Sequence, residues 1–291
     1  MRRNLPDRGV YKERDKLMTA VQKLNHCYDS VKAKIGDFVP HIALVLGSGL
    51  GAFADEIDIV CTVDYADIDG FPKSTVEGHK GRFVCGKVGG VDVIIMQGRV
   101  HFYEGYSMDD TVLPIRLMRK LGVQVLLLTN AAGGISFGAG EFMLITDQIS
   151  TFVPSPLIGA NMSEFGVRFP DMSEIYDSDL RDIIAKAAAS VGVDLKQGIY
   201  VQTSGPNFES PAEIKMFKTL GADAVGMSTA CEALAANHAG MRICGISCIA
   251  NLACGLSENP LTHDEVMEAT TAAAPLFKKL IRAAIEGIGN G

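Results

Sequence analysis

A glycine-rich segment follows the first apolar run of the chain and is the first place where the sequence could bind an anion. Residues 47–52 read GSGLGA and come directly after the apolar residues 42–46. We expect this segment to open a helix, whose N–H groups and positive dipole end attract anions, and Ser48 adds a hydroxyl donor. The spacing also fits the G-x-G-x-x-A pattern of dinucleotide sites, with Asp64, Asp67 and Asp69 at about the required distance. A dinucleotide site, a site for a single phosphate and a tight turn without a ligand all remain open on these residues alone.

A second polar cluster follows a later apolar run. Residues 97–106 read QGRVHFYEGY, in which Arg99 and His101 alternate with apolar neighbours. In an extended segment both side chains point to the same side. A guanidinium offers a planar fork of donors that suits phosphate, and an imidazole can add a further hydrogen bond. The structural alternative is an arginine paired with Glu104 and a histidine at the surface.

Two further segments carry small or hydroxyl residues that a ligand could approach. Residues 129–134 read TNAAGG and end a predicted strand, where small residues let a ligand come close to the backbone. Residues 226–229 read GMST and place Ser228 at the start of a predicted helix, which makes it a second candidate for an anion-binding amino end. A plain turn and a simple helix cap are the structural alternatives.

These segments are spread over a chain in which short apolar runs alternate with amphipathic stretches. That pattern is typical of an α/β fold with helices on the faces of a largely parallel or mixed sheet. The glycine pair at 89–90 predicts a hairpin, so we expect the sheet to be mixed. The predicted strands are 42–46, 59–63, 82–87, 92–97, 124–129, 142–149, 198–203, 224–227 and 242–249.

Helices are predicted from capping signals and apolar stripes. Residues 11–35 predict a helix that is polar on one side. Capping-box spacing starts three later helices, at the pairs Ser210 and Glu213, Thr229 and Glu232, and Thr262 and Glu265. The last helix carries one apolar stripe, formed by Val266, Ala269, Ala273, Leu276, Phe277, Leu280, Ala284 and Ile288. The long stretch 152–176 is rich in Pro, Gly, Asn and Ser, and such a loop is usually functional or part of an interface.

Composition narrows the class of protein. The chain has 291 residues, which suit one large α/β domain or two small ones, and a formal net charge of -7 argues against a general nucleic-acid binder. Its seven cysteines form no CxxC pair and predict free thiols in a reducing compartment. No apolar h-region follows the charged amino terminus, and the apolar runs are too short to cross a membrane. We therefore expect a cytoplasmic protein without a membrane partner.

In this order, the segments resemble those of the trimeric-type purine nucleoside phosphorylases. The resemblance runs from about residue 41 to the final helix and rests on GSGLG, FPKSTVEGHKGR, GRVHFYEGY, TNAAGG, SGPNFESPAE, GADAVGMST and Asn251. It implies a single α/β domain with a twisted mixed sheet, assembled as a homotrimer, with no metal and no cofactor. It also implies phosphorolysis of inosine, guanosine and their deoxy forms to the free purine and α-(deoxy)ribose 1-phosphate. The phosphate alternative for the glycine loop is then favoured, with inorganic phosphate as the co-substrate.

The resemblance also implies individual roles. Phosphate would be bound by Ser48, His79, Arg99, His101, the backbone N–H of Ala131, and Ser228. The nucleoside would lie against Tyr103, Phe208 and Met227. Glu209, Asn251 and His263 would be the catalytic residues, with Glu209 and Asn251 on the base and His263 at the 5′-hydroxyl. Phe165 matches an aromatic residue that crosses into the neighbouring subunit's site.

Base preference depends chiefly on Asn251. Its amide can donate to O6 of a 6-oxopurine, whereas the similar methylthioadenosine phosphorylases carry an aspartate there, and an apolar residue where His263 stands. The sequence departs from the family pattern at three places: the stretch 134–141, which is shorter, Gln148 and Leu252. These departures leave the finer substrate preference open, including whether xanthosine is accepted. Alternatives are a methylthioadenosine or xanthosine phosphorylase, a nicotinamide-dependent dehydrogenase on the same glycine loop, and a non-catalytic nucleoside-binding protein.

Overall fold

Within residues 19–76, 78–257 and 261–291, which the computed structural model describes, nine strands form one mixed sheet with six α-helices around it. The strands are β1 Ile42–Val45, β2 Asp58–Asp64, β3 Arg82–Val88, β4 Val91–Gln97, β5 Val125–Gly134, β6 Phe142–Ile149, β7 Leu195–Gln202, β8 Ala224–Gly226 and β9 Arg242–Leu252. The helices are α1 Ala20–Ile35, α2 Met108–Lys120, α3 Ser178–Ser190, α4 Pro211–Thr219, α5 Ala230–His238 and α6 His263–Gly289. The predicted α/β class with a mixed sheet is confirmed.

The sheet is open at one end and closed on itself at the other. Its order begins β2-β3-β4-β1-β5, where β3 and β4 form the predicted antiparallel hairpin and β1 runs parallel to both β4 and β5. Beyond that point, β5, β8, β7, β6 and β9 pair in a cycle, because β9 returns to pair in parallel with β5. Strand β5 therefore belongs both to the open part of the sheet and to the cycle.

The core lies on both faces of the sheet, as β1 illustrates. Ala43 and Val45 face one apolar cluster, which includes side chains of α1, α2 and α5, whereas Ile42 and Leu44 face a second cluster with α3 and α6. All four residues are fully buried. A strand covered on both faces appears in the sequence as a continuous apolar run, which is why the segment from Ile42 to Val45 could be recognised as a strand.

The open edge of the sheet is β2, and it is irregular. Its pairing with β3 shifts register between Ile59 and Cys61, so Val60 has no partner in the ladder. Ile59 and Val60 are both exposed. A bulge of this kind bends and twists an edge strand, and it interrupts the row of free N–H and C=O groups that another strand could join.

The structure differs from the sequence predictions in a few elements. Strand β5 continues to Gly134 and β9 to Leu252, where we had expected loops. The glycine loop leads into a short 3-10 helix, Gly51–Asp55, and not into an α-helix. Leu276 is exposed, although the apolar stripe of the last helix predicts it to be buried. The predicted helix over 11–35 overlaps α1, and residues 11–18 lie outside the described residues.

The glycine loop is held against two elements at very short range. A Cβ on Gly47 would stand 2.6 Å from Cα of Asn130 in β5, and a Cβ on Gly49 would stand 1.9 Å from Oγ1 of Thr270 in α6. Gly49 also has a φ of +75°, which residues with a side chain rarely adopt. These glycines are therefore required by backbone packing around Ser48, whatever the loop binds.

We expect Gly49→Ala to destabilise the protein by at least about 3 kcal/mol, because the strain of positive φ adds to an overlap with Thr270. Gly90→Ala is the matched control, since Gly90 has a φ of +85° but open space around its Cβ. The control should cost about 1 kcal/mol, the strain alone. Urea unfolding measures both, and equal losses would show that the contact with Thr270 does not matter.

Candidate active site

One cavity of about 400 Å³ opens at the edge of the sheet where several strands end. Its lining includes ten of the residues that the sequence singled out: Ser48, Arg99, His101, Tyr103, Ala131, Phe208, Glu209, Met227, Ser228 and Asn251. The remaining wall is largely small or apolar and includes Val76, Ala132, Pro206, Val225, Leu261 and Val266. A mostly apolar cavity with a few convergent polar groups is typical of a site for a small organic ligand.

Parallel strands bring these residues together. Because β1 runs parallel to β4 and β5, and β5 to β9, the carboxyl ends of all four strands lie at the same edge of the sheet. Ser48 follows β1, Arg99 follows β4, and Ala131 and Asn251 lie in the last residues of β5 and β9. Ligands of α/β proteins bind in the crevice at this edge.

Thr129 in β5 fixes the glycine loop and Arg99 relative to each other. Its hydroxyl donates to the Val45 carbonyl at 2.8 Å and accepts from the backbone N–H of Gly47 at 3.1 Å. Its own carbonyl accepts from Nη1 of Arg99 at 2.8 Å. A single buried residue thus connects the end of β1, the start of the loop with Ser48, and the guanidinium.

Arg99 is 1% exposed, and it is paired with Glu232 in α5 and not with Glu104. Both carboxylate oxygens of Glu232 accept from Nε of Arg99, at 2.9 and 3.0 Å. Nη2 has no hydrogen-bond partner among the described residues. The structural alternative considered from the sequence, an Arg99–Glu104 pair, is therefore wrong, and Glu232 is a site residue that we did not predict.

Three aromatic rings form a stack, two from the segment after β4 and one from the loop before β3. The ring of His101 lies 5.6 Å from that of His79 on one side and 4.7 Å from that of Tyr103 on the other, at interplanar angles of 25° and 20°. His79 does not appear in the cavity lining, but its Nε2 lies 3.4 Å from Oγ of Ser48 and its Nδ1 3.0 Å from Oγ of Ser74. The stack places both histidines within reach of one small ligand beside Ser48.

Glu104 holds this wall in place. One of its oxygens accepts from the backbone N–H of His101 at 2.7 Å and lies 3.2 Å from Nδ1 of the same residue. The other accepts from the N–H and the hydroxyl of Thr75, both at 2.6 Å. Burial alone would raise the pKa of Glu104, but the hydrogen bonds from His101 and Thr75 outweigh it and lower the pKa to about 2.

Both histidines have a pKa below the ordinary value of an imidazole. Burial, with the neighbouring His101 and Arg99, lowers the pKa of His79 to about 4. Burial also lowers the pKa of His101, although the hydrogen bond to Glu104 acts in the opposite direction. The imidazoles therefore contribute hydrogen-bonding capacity without a full positive charge, and Arg99 is the cation of this wall.

Ser228 is held by a strained turn before α5. Thr229, the residue preceding that helix, has a φ of +81°, which is unusual for a residue with a branched side chain. The hydroxyl of Thr229 accepts from Nδ2 of Asn130 at 2.9 Å and lies 3.1 Å from Oγ of Ser228. The predicted capping box between Thr229 and Glu232 is absent from this helix start, because the carboxylate of Glu232 is bonded to Arg99 instead.

Glu209 and Asn251 lie on another part of the cavity wall. Glu209 is 7% exposed and accepts from the hydroxyl of Thr203 at 2.8 Å, and burial raises its pKa. The amide of Asn251 donates to the carbonyl of Leu252 at 2.8 Å. The amide nitrogen of Asn251 keeps its second hydrogen and Glu209 keeps a second oxygen, so both remain available to a hydrogen-bonding ligand at this wall.

One predicted residue stands apart from this cavity, and the side chain of another is not among the described parts of the structure. Phe165 is half-buried, packs against the apolar cluster on the α1, α2 and α5 face of the sheet, and does not line the cavity. The backbone of His263 begins α6, but its side chain lies outside the described part of the structure. In the part of the chain that the structure describes, no three His, Cys, Asp or Glu side chains are grouped so that they could hold a metal ion.

Comparison with known proteins gives the family. The family model described as the phosphorylase superfamily matches residues 41–286. A purine nucleoside phosphorylase of Bacillus subtilis is 52% identical over 248 residues, which are 84% of this chain and 92% of the relative. The chain belongs to the purine nucleoside phosphorylase family. Mus musculus purine nucleoside phosphorylase is 43% identical over 263 residues, 87% of this chain and 90% of the relative.

Solved structures of this family share the fold. The Schistosoma mansoni purine nucleoside phosphorylase in complex with adenosine aligns with a TM-score of 0.87 at 36% identity, over 92% of this chain and 98% of that one. A Schistosoma mansoni purine nucleoside phosphorylase in complex with inosine aligns with a TM-score of 0.87 at 35% identity and the same coverage. The family resemblance seen in the sequence motifs is therefore confirmed, as is the fold that it implies.

The lowered pKa of His79 gives a pH prediction. The unfolded chain binds a proton at this residue near pH 6.5, whereas the folded chain does so only near pH 4. Between these values the unfolded state holds more protons, so the free energy of unfolding should fall as the pH falls. In His79→Gln that loss should be smaller. Urea unfolding from pH 7 to 5, without phosphate or sulfate, measures it, and parallel curves for both proteins would contradict the shift.

Proposed function

We propose that this chain catalyses the phosphorolysis of purine nucleosides, with inorganic phosphate as co-substrate and no cofactor. The observation that carries the proposal is the shared cavity. Ser48, Arg99 and Ser228, which could donate to an anion, line the same cavity as Glu209 and Asn251, which could provide acceptor and amide groups for a base. Relatives that bear the name purine nucleoside phosphorylase, at up to 52% identity, support the same activity.

The chemistry is the exchange of one bond at the anomeric carbon. A phosphate oxygen attacks that carbon as the bond to N9 of the purine breaks, so the configuration inverts and ribose 1-phosphate is formed. The donors around Ser48 and Arg99 would position the phosphate, whose charge favours the cationic character of the sugar. Negative charge moves onto the leaving purine, where Asn251 would donate at N7 and O6 and Glu209 would accept from N1–H.

Apolar and aromatic residues would hold the sugar and the base. Tyr103, Met227 and Phe208 line the same cavity, and we assign Tyr103 and Met227 to the ribose and Phe208 to a stacked purine. We keep His263 as the predicted partner of the 5′-hydroxyl. We also assign the enzyme to the cytoplasm, because its seven cysteines are free thiols. Among the described residues, no helix is long and apolar enough to cross a bilayer.

A spectrophotometric assay of hypoxanthine release from inosine tests the activity. Turnover should require phosphate, and Glu209→Gln should lower kcat/KM by about 10²- to 10³-fold, as is usual when a group that stabilises the transition state is lost. Glu213→Gln is the matched control, because Glu213 is exposed, caps α4 and does not line the cavity. Release of hypoxanthine that is independent of phosphate would contradict the proposal.

The same assay tests base choice. We propose that 6-oxopurine nucleosides are preferred over adenosine, because the Asn251 amide can donate to O6. Replacement by a carboxylate removes that donor and favours a 6-amino group, so Asn251→Asp should shift the ratio of inosine to adenosine kcat/KM towards adenosine by at least about tenfold. An unchanged ratio would show that Asn251 does not select the base.

We further propose a homotrimer in which Phe165 completes the site of a neighbouring subunit. Three observations support it: Phe165 is remote from its own cavity, it lies in the long loop 152–176, and that loop exposes Ile158, Val167 and Phe169. Phe169 is 87% exposed. Clustered exposed apolar side chains mark surfaces that contact another protein.

Mixed oligomers test this arrangement. Phe165→Ala and Arg99→Ala should each be poorly active alone, because each lacks one part of every site. Chains co-expressed with the two changes should regain activity, since some sites then combine an intact Phe165 with an intact Arg99. A mixture of Glu209→Gln and Arg99→Ala gives the comparison, because both residues belong to the same subunit's site. Equal recovery in the two mixtures would contradict a shared site.

A further inference from the structure

Glu232 is a buried carboxylate that the proposed chemistry does not use. It lies in the first turn of α5, and its side chain is 2% exposed, against 1% for Arg99. A buried ion pair gains little net stability, because both charges lose their hydration. Its presence beside a binding cavity therefore suggests a role other than stabilising the fold.

The contacts of Arg99 indicate what that role is. Nε is bonded to both oxygens of Glu232, and Nη1 is bonded to the carbonyl of Thr129. Two different edges of the planar guanidinium are thus fixed, by α5 and by β5. Rotation of the group is prevented, and Nη2 is left with its hydrogens unused among the described contacts. Arg99 is oriented before any ligand arrives, which is what efficient anion binding requires.

The position of Glu232 along the chain adds a second constraint. Ser228 comes just before α5, and the strained Thr229 between them is held by Asn130 of β5. The bond from Glu232 to Arg99 therefore attaches the first turn of α5, and with it Ser228, to the segment after β4. The separation between the two predicted phosphate contacts depends on this bond.

We propose that Glu232 is a positioning residue for phosphate: through Nε of Arg99 it sets the direction of the guanidinium and its distance from Ser228. This inference rests on the proposed function, in which Arg99 and Ser228 bind inorganic phosphate. Glu232 itself does not line the cavity and is not expected to contact a substrate.

Glu232→Asp is the decisive variant, because it keeps the charge and shortens the side chain by one methylene. We expect the KM for phosphate to rise about tenfold or more, with the KM for inosine within about twofold of the original. Glu232→Gln keeps the length and one acceptor oxygen, so the increase in the phosphate KM should be smaller than in Glu232→Asp. It also provides a folded variant if the aspartate cannot be accommodated.

Asp177→Asn is the matched control. Asp177 pairs with Arg242 and caps α3, so this change also removes the charge from an arginine ion pair, but one outside the cavity. It should lower thermal stability and leave the phosphate KM unchanged. If both Glu232 variants behave in the same way as Asp177→Asn, Glu232 is only structural and the inference is wrong.

Binding measured without turnover separates this inference from the proposed activity. Inorganic phosphate should raise the Tm of the unchanged protein and raise that of Glu232→Asp much less, whether or not inosine is cleaved. A normal phosphate-dependent rise in Tm in both Glu232 variants would overturn the inference even if the enzyme is active. A third outcome is that inosine is not cleaved, but phosphate raises the Tm of the unchanged protein and not that of Glu232→Asp. This outcome would overturn the proposed activity and support the positioning role.

Discussion

The hydroxyl and carbonyl of Thr129 form the contact on which the rest of the site depends. They connect β1, the glycine loop and Arg99 at one point of β5. This residue is completely buried, so breaking any of these bonds would leave a polar group without a partner in the core, which costs about 1 to 3 kcal/mol. The start of the loop with Ser48 is therefore tied to β5, and the glycines at 47 and 49 allow the loop to pack closely against Asn130 and Thr270.

The electrostatics of the cavity follow from burial. Glu232 is paired with the buried guanidinium of Arg99, and burial lowers the pKa of both His79 and His101. The anion side of the cavity is thus lined by oriented donors and by one compensated cation, and not by an excess of positive charge. Donors fixed in advance lose little when a ligand binds and are more effective in a site with little water.

Most of the fold and the membership of the cavity were predictable from the sequence. The fully buried strand β1 is a continuous apolar run, and the glycine pair at 89–90 identified the hairpin between β3 and β4. The ends of β5 and β9 were missed, because the small residues that follow Asn130 carry no strand signal of their own and are extended only through pairing with neighbouring strands. A local sequence pattern indicates a strand only where the side chains of that strand pack in the core.

The failures at α5 have a tertiary cause. Thr229 and Glu232 have the spacing of a capping box, but the carboxylate binds Arg99, which is 133 residues away in the chain, and so forms no cap. No local rule could have found that pair. The glycine loop was also misinterpreted as the start of an α-helix, because tertiary contacts determine its glycines. Asn130 and Thr270 lie so close to Gly47 and Gly49 that a side chain would not fit there.

The closed cycle of strands has a consequence for how copies of this protein can associate. Because β9 returns to β5, the described sheet has its one free edge at β2, where the bulge at Val60 breaks the ladder. A sheet that continues from one molecule into the next, as in fibrils, could form only by pairing at this irregular edge. Contacts between copies that do not use β2 must then be made by side chains of loops and helices.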